Sequence, residues 1–162
     1  MKTSRNFRNY KVWQDAVVFA TSIYKLTATL PYFEKKGLCD QLQRAVVSIS
    51  SNIAEGAAKP SDVEFVKFLY ISLGSAFEVE TQLLIAKNIG YVSEEQHADL
   101  LNRTVEIEKQ LSGLINSIKS AATEFSFSFS SSSSFSFSFS FSFIDDAKIQ
   151  HQKAENNSID NR

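Results

Sequence analysis

The chain has 162 residues, which fits one domain and a tail at ~150 residues per domain. Seventeen Lys+Arg against 18 Asp+Glu, net −1, exclude a histone-like basic nucleic-acid binder, and a single Cys excludes a disulfide framework or a cysteine-rich zinc site. The polar, basic start carries no apolar leader and no run of ~18 apolar residues follows, so a soluble, cytoplasmic protein is expected.

The first predicted element places Trp13, Ala16, Val17, Ala20, Ile23, Tyr24 and Thr27 on one face of a helix. It stops at Leu30-Pro31, because proline disfavours helical backbone in the residue before it. A second helix spans about Leu38 to Ala57, with Leu42, Ala45, Val46, Ile49 and Ile53 on its apolar face and Gly56 and Pro60 at its end. The third opens on Ser61-Asp-Val-Glu64, a capping-box pattern, and runs to Lys87 or Asn88 before Gly90. At 1.5 Å per residue it is roughly 40 Å long. The fourth repeats the opening signal at Ser93-Glu-Glu-Gln96 and lines up Leu100, Leu101, Ile107, Leu111, Leu114, Ile115 and Ile118.

Four amphipathic helices joined by short loops predict an all-α, antiparallel up-down-up-down bundle. The bundle is expected over residues 10–122, preceded by a basic arm (1–9) and followed by a tail (123–162) expected to be disordered. Between Phe125 and Phe143 that tail contains only Phe and Ser, mostly alternating, which reads as an aggregation-prone strand pattern. The competing reading is low-complexity sequence of nucleic-acid origin, since pyrimidine-only codons encode both residues.

The third helix has more apolar surface than one bundle face needs. Phe65, Leu69, Ser72, Ala76, Val79, Leu83 and Ala86 form one stripe; Val66, Leu73, Phe77 and Leu84, widened by Phe68 and Ile71, form another. A helix apolar around much of its girth is either central or shared with another subunit, so a homo-oligomer is expected. The alternative is a broad core face with a few exposed apolar residues.

Enzymatic chemistry finds no support. The five glycines stand singly, so no phosphate loop exists, and no Glu-x-x-His pairs with His97 or His151 to hold a metal. Cys39 has no histidine partner and is expected to pack. No catalytic residue, metal or cofactor is expected.

What remains is polar patterning. Arg44, Ser48, Ser51, Asn52 and Glu55 share a face of the second helix, and Gly74-Ser75-Ala76 makes a small-residue notch on the third, open to close approach of a neighbouring backbone. An antiparallel turn at 57–61 sets Arg44 near Glu78, predicting an ion pair across the two helices; two solvated faces are the alternative. At the N-terminus Lys2, Arg5, Arg8 and Lys11 precede the first acid, Asp15, interleaved with Phe7 and Tyr10. Such a segment can neutralise phosphates and stack on bases. Equally, it can be a solubilising terminus with Phe7 and Tyr10 tucked onto the bundle.

Tyr10-Lys-Val-Trp13-Gln-Asp-Ala16, Ser48-Ile-Ser-Ser-Asn52-Ile-Ala-Glu-Gly56 and Gly74-Ser-Ala-Phe-Glu78-Val-Glu80 resemble the bacterial four helix bundle protein family, also called the ribosomal RNA intervening-sequence protein family. The resemblance covers about Phe7 to Ser120, with Asn-Ile-Ala-Glu-Gly its most specific part. It implies an up-down bundle assembled as a homopentamer, without known catalytic activity. More distantly the chain resembles accessory proteins of diversity-generating retroelements, which bind nucleic acid and a reverse transcriptase. Residues 1–124 hold fourteen basic and fourteen acidic groups, unlike basic nucleic-acid-binding members, so RNA contact would rest on the arm with Arg44 or Arg103. Trp13, Asn52, Glu55, Gly56, Gly74, Ser75 and Glu78 are expected to serve folding and subunit packing. The expected function is a non-enzymatic, homo-oligomeric RNA-associated module; the alternative is a protein-docking scaffold without nucleic-acid affinity.

Overall fold

The computed structural model describes residues 5–132. Two short 3-10 turns, Phe7–Asn9 and Tyr32–Lys36, accompany four helices: α1 (Lys11–Thr29), α2 (Leu38–Ala57), α3 (Asp62–Asn88) and α4 (Glu94–Ser132). Local chemistry accounts for the ends. Leu30 is extended ahead of Pro31 and closes α1. Gly37 offers α2 no capping side chain, and Glu34 substitutes by accepting the Leu38 N–H at 3.1 Å. The Ser61 hydroxyl accepts the Glu64 N–H at 3.2 Å and opens α3. Before α4, Ser93 and Gln96 satisfy each other's backbone N–H at 3.1 Å, a complete capping box. Gly90, at φ 82°, turns the chain out of α3 in the left-handed conformation that only glycine adopts freely.

Side-chain pairs fix the arrangement. Gln43 donates to Thr27 between α2 and α1, and Ser72 donates to the Ile49 carbonyl between α3 and α2. Between α4 and α1, Gln110 meets Asp15 and Arg103 meets Ser22, so numbers fall on one helix as they rise on the other. Lys119 of α4 donates to Tyr70 of α3 at 2.7 Å, while Glu108 faces Glu80, the same inverse order. The protein is therefore an all-α, antiparallel four-helix bundle.

Its core holds Phe19 and Ile23 of α1, Leu42, Ile49 and Ile53 of α2, Phe65, Leu69, Val79 and Leu83 of α3, and Ile107 and Leu111 of α4. The α1 stripe is rotated from the expected one. Val12, Ala16, Phe19, Ile23 and Leu26 point inward, whereas Val17 and Tyr24 are 40% and 47% exposed. Apolar residues at i, i+3 and i+4 support two overlapping stripes here, and burial of Phe19 and Leu26, which carry no hydroxyl to keep hydrated as Tyr24 does, decides between them.

The bundle lies within the unit formed by residues 1–127. The α4 backbone stays helical to Ser132, beyond the expected boundary at 122 and into the Phe/Ser segment. Propagation onto an existing helix fixes one residue per hydrogen bond, which outweighs a two-residue alternation with no partner strand. The rest of the tail lies outside the described residues. Among those described, no helix is long and apolar enough to cross a membrane, and no cluster of His, Cys, Asp and Glu could hold a metal.

Candidate functional site

The basic N-terminal segment is built into the fold from Arg5 onward. Arg5 donates to the Lys59 carbonyl at 2.9 Å, pairs with Asp62, and lies 4.9 Å above the Phe65 ring. Tyr10 stacks on Phe65 at 5.8 Å, and Phe7 meets Trp13 edge-on at 5.0 Å. This segment ties the start of α1 to the turn between α2 and α3. Its aromatic rings are tucked onto the bundle, and Arg5 is not offered to a phosphate. Lys11 pairs with Asp15 at 2.7 Å, and the Arg8 guanidinium covers the Phe7 ring at 4.6 Å while remaining exposed. Lys2 lies outside the described residues. Arg103 is likewise internal to the fold, donating to Ser22 at 2.9 Å and covering Phe19 at 5.4 Å.

The Ser48–Gly56 segment forms a seam between α2 and α3. Asn52 donates from Nδ2 to the carbonyl (2.8 Å) and hydroxyl (2.9 Å) of Ser48. Ser48 shares a 2.8 Å hydrogen bond with Ser75, whose hydroxyl donates in turn to the Ile71 carbonyl. Gly56 is the point of closest approach: a Cβ there would stand 2.6 Å from Phe68 Cβ and 2.9 Å from Phe65 Cδ2. Ser75 and Gly56 thus serve packing between helices, and Asn52 holds Ser48 within α2. Glu55 faces solvent and pairs with Lys59 at 3.2 Å.

The expected Arg44–Glu78 ion pair does not form. Arg44 pairs with Asp40 of its own helix at 3.4 Å and stays largely exposed, and Glu78 is exposed on α3. The register expected, with Arg44 opposite about Leu73-Gly74, is off by about a turn: Ser48 meets Ser75 and Ser72 meets Ile49, which brings Arg44 to the height of Glu78. Rotation keeps them apart: both side chains turn outward, where each charge keeps its hydration instead of being desolvated in a pair.

The outward face of α3 carries the surface that stands out. Tyr70, Ile71, Phe77, Leu84, Ile85 and Ile89 are all exposed, at 45–52%. Five of these belong to α3 and Ile89 follows its last residue, so exposed apolar side chains are concentrated on this one element. Gly74 lies among them, and a Cβ added to it would meet nothing within 4 Å. The notch at Gly74 is therefore open to the outside and is not filled by α2.

Two groups escaped sequence reasoning. Glu108 of α4 is pushed up to about 7, first by burial and then by the neighbouring Glu80 of α3. Its Oε1 is closed to water and meets no donor among the described residues, so a proton between the two carboxyls is what relieves it. Each neighbours a stripe residue, Ile107 or Val79, which was the only available signal. The second is the turn before α2, where Tyr32 and Phe33 are 81% and 75% exposed. Cys39 is buried, donates to the Thr27 carbonyl, and is shifted upward by burial and then by Glu34, as expected of a packing thiol.

Against this geometry, the family description 23S rRNA-intervening sequence protein matches residues 8–113. The chain belongs to that family. A solved structure from Bacteroides thetaiotaomicron VPI-5482, described as a protein of unknown function from the S23 ribosomal protein family, is similar at 30% identity and a TM-score of 0.61. The similarity covers 65% of this chain and 95% of that one. None of the curated proteins compared matches. The matched span takes in α1, α2, α3, the seam and about half of α4, and stops short of the Phe/Ser segment.

Proposed function

We infer that the protein is a non-enzymatic homo-oligomer, a ring of five bundles, that associates with structured RNA. The outward face of α3 carries this reading. Ile71, Phe77, Leu84 and Ile85 stand about half exposed there, and burying them against another copy removes apolar surface from water at about 25 cal/mol per Å². Gly74 supports it, because a mid-helix glycine costs ~1 kcal/mol relative to alanine and none of the described residues uses the space it leaves. Association with RNA is supported by the family's description as an rRNA-intervening sequence protein. Repetition around a ring multiplies modest contacts into avidity.

One observation favours the alternative, a docking scaffold without RNA affinity: the bundle region is balanced in charge, and Arg5 and Arg103 are engaged in the fold. Sedimentation of the full chain, alone and with a structured RNA, separates the readings. The expected result is a defined oligomer whose RNA affinity falls steeply as salt rises. A well-behaved monomer at high micromolar concentration overturns the assembly, and an oligomer silent toward RNA at low salt leaves the scaffold.

A further inference from the structure

With Arg5 and Arg103 committed to the fold, the region best equipped to touch a nucleic acid is the turn between α1 and α2. Tyr32 and Phe33 are the two most exposed large apolar side chains among the described residues, and they are consecutive. Each is held by one neighbour. The Lys35 ammonium covers Tyr32 at 4.6 Å, and Tyr91 meets Phe33 edge-on at 6.4 Å. The acid of the segment, Glu34, is turned into the structure. One carboxylate oxygen accepts from the Tyr91 hydroxyl at 3.3 Å and the other from the Leu38 N–H at 3.1 Å. That leaves Lys35 and Lys36 exposed beside the rings, with no carboxylate of their own segment facing outward. Next to them a hollow of about 420 Å³, lined by Tyr24, Thr27, Lys35, Cys39 and Gln43 among others, opens between α1 and α2.

We propose that this turn is a single-stranded RNA contact, in which unpaired bases stack on Tyr32 and Phe33 and the backbone phosphates meet Lys35 and Lys36. The inference rests on the RNA reading above and names the part of the molecule that makes the contact. An aromatic ring offers its face to any base, which makes the contact tolerant of sequence, while the lysines release counterions from the phosphates. The hollow falls within the ~300–1,000 Å³ typical of small-ligand sites and accommodates a flanking nucleotide, with Lys35 and the amide of Gln43 on its wall. A purely apolar docking knob accounts for the rings but not for the paired lysines or the inward turn of Glu34. In double-stranded RNA the bases are stacked within the helix and unavailable to the rings, so the contact selects loops, bulges and ends.

The test is fluorescence anisotropy of the full chain with a short unstructured RNA and with a blunt RNA duplex, across a salt series. The native chain is expected to prefer the single strand. The doubly substituted Tyr32→Ala/Phe33→Ala chain is expected to lose about tenfold or more in affinity. Tyr32→Phe, which keeps the ring, is expected to bind as the native chain does. Lys35→Gln with Lys36→Gln is expected to flatten the salt slope by about 1.4. Both rings lie outside the core, so circular dichroism should report unaltered helix in every variant. If the native chain binds single strands and loss of both rings changes nothing, this contact is wrong while the RNA reading stands. If the native chain binds no RNA at low salt, both are overturned. A double variant that loses oligomer mass and keeps its RNA affinity also overturns the proposal, making the turn a contact between subunits.

Discussion

Phe65, Leu69, Ala76, Val79 and Leu83 on the inward face of α3 are shut from water, while Tyr70, Ile71, Phe77, Leu84 and Ile85 on the outward face are about half exposed. The residue types are almost the same, and the difference lies in what the rest of the chain supplies. Inward, α2 provides a seam of Ser48, Asn52 and Gly56, and the N-terminal segment adds Tyr10 and Arg5 over Phe65. Outward the described residues cover less: Lys119 of α4 reaches Tyr70, while Ile71, Phe77, Leu84 and Ile85 stay about half exposed. Apolar periodicity therefore states how much greasy surface a helix has, and topology states how much of it one copy can cover.

The sharpest way to break that comparison is to truncate one aromatic on each face. Phe65→Ala removes a fully buried ring that touches α2, Tyr10 and Arg5, and is expected to cost about 3–5 kcal/mol. Phe77→Ala removes a ring that is half in water, and is expected to change the stability of a single bundle by less than about 0.5 kcal/mol while reducing oligomer mass. Urea unfolding measured alongside sedimentation separates the two effects. Equal losses of stability at low protein concentration would mean that both faces are packed within one chain.

That contrast also marks what could be read from the sequence. The end of α2 and the start of α3 were legible because Pro60 and the Ser61–Glu64 pair act within a turn of themselves. The inward stripe of α3 was legible because it follows the helical period without interruption. Rotation was not. Val17 and Tyr24 were expected inside and lie outside, and Arg44 was expected on Glu78 and turns back to Asp40. Spacing gives the height of a residue along a bundle to within a turn, whereas its angle about the axis is set by side-chain volumes on three other helices. The fate of Arg5 was illegible for a related reason: its partners, Lys59, Asp62 and Phe65, are more than fifty residues away.

A second pair of substitutions sharpens the comparison with glycines. Gly56 faces inward, where a Cβ would overlap Phe68 Cβ and Phe65; both belong to a packed crossing, so neither can swing away. Gly56→Ala is expected to cost about 1–3 kcal/mol through forced separation of α2 and α3. Gly74 faces outward with open space around it, so Gly74→Ala is expected to stabilise the single bundle by up to about 1 kcal/mol through helix propensity alone. Thermal melts of the two variants should therefore move in opposite directions. If Gly74→Ala also lowers oligomer mass, the open notch is where another copy comes close.

The smallest expected effect lies on the flank between the faces, where Glu80 of α3 meets Glu108 of α4. Because Glu108 is raised from about 4.5 to about 7 in the fold, the native state holds a proton that the unfolded chain has released. Stability then falls as pH rises through that interval, the reverse of the behaviour of an ion-paired carboxylate, and levels off above it. Glu108→Gln keeps the shape and a hydrogen-bond donor toward Glu80 but removes the ionisation. After allowance for the water that screens a partly exposed pair, it is expected to stabilise the protein by about 1 kcal/mol at pH 8 and by nothing measurable at pH 4. Urea midpoints at the two pH values decide it. A gain of the same size at both would trace the effect to packing, and would leave the inward side of α3 without a titrating group at its edge.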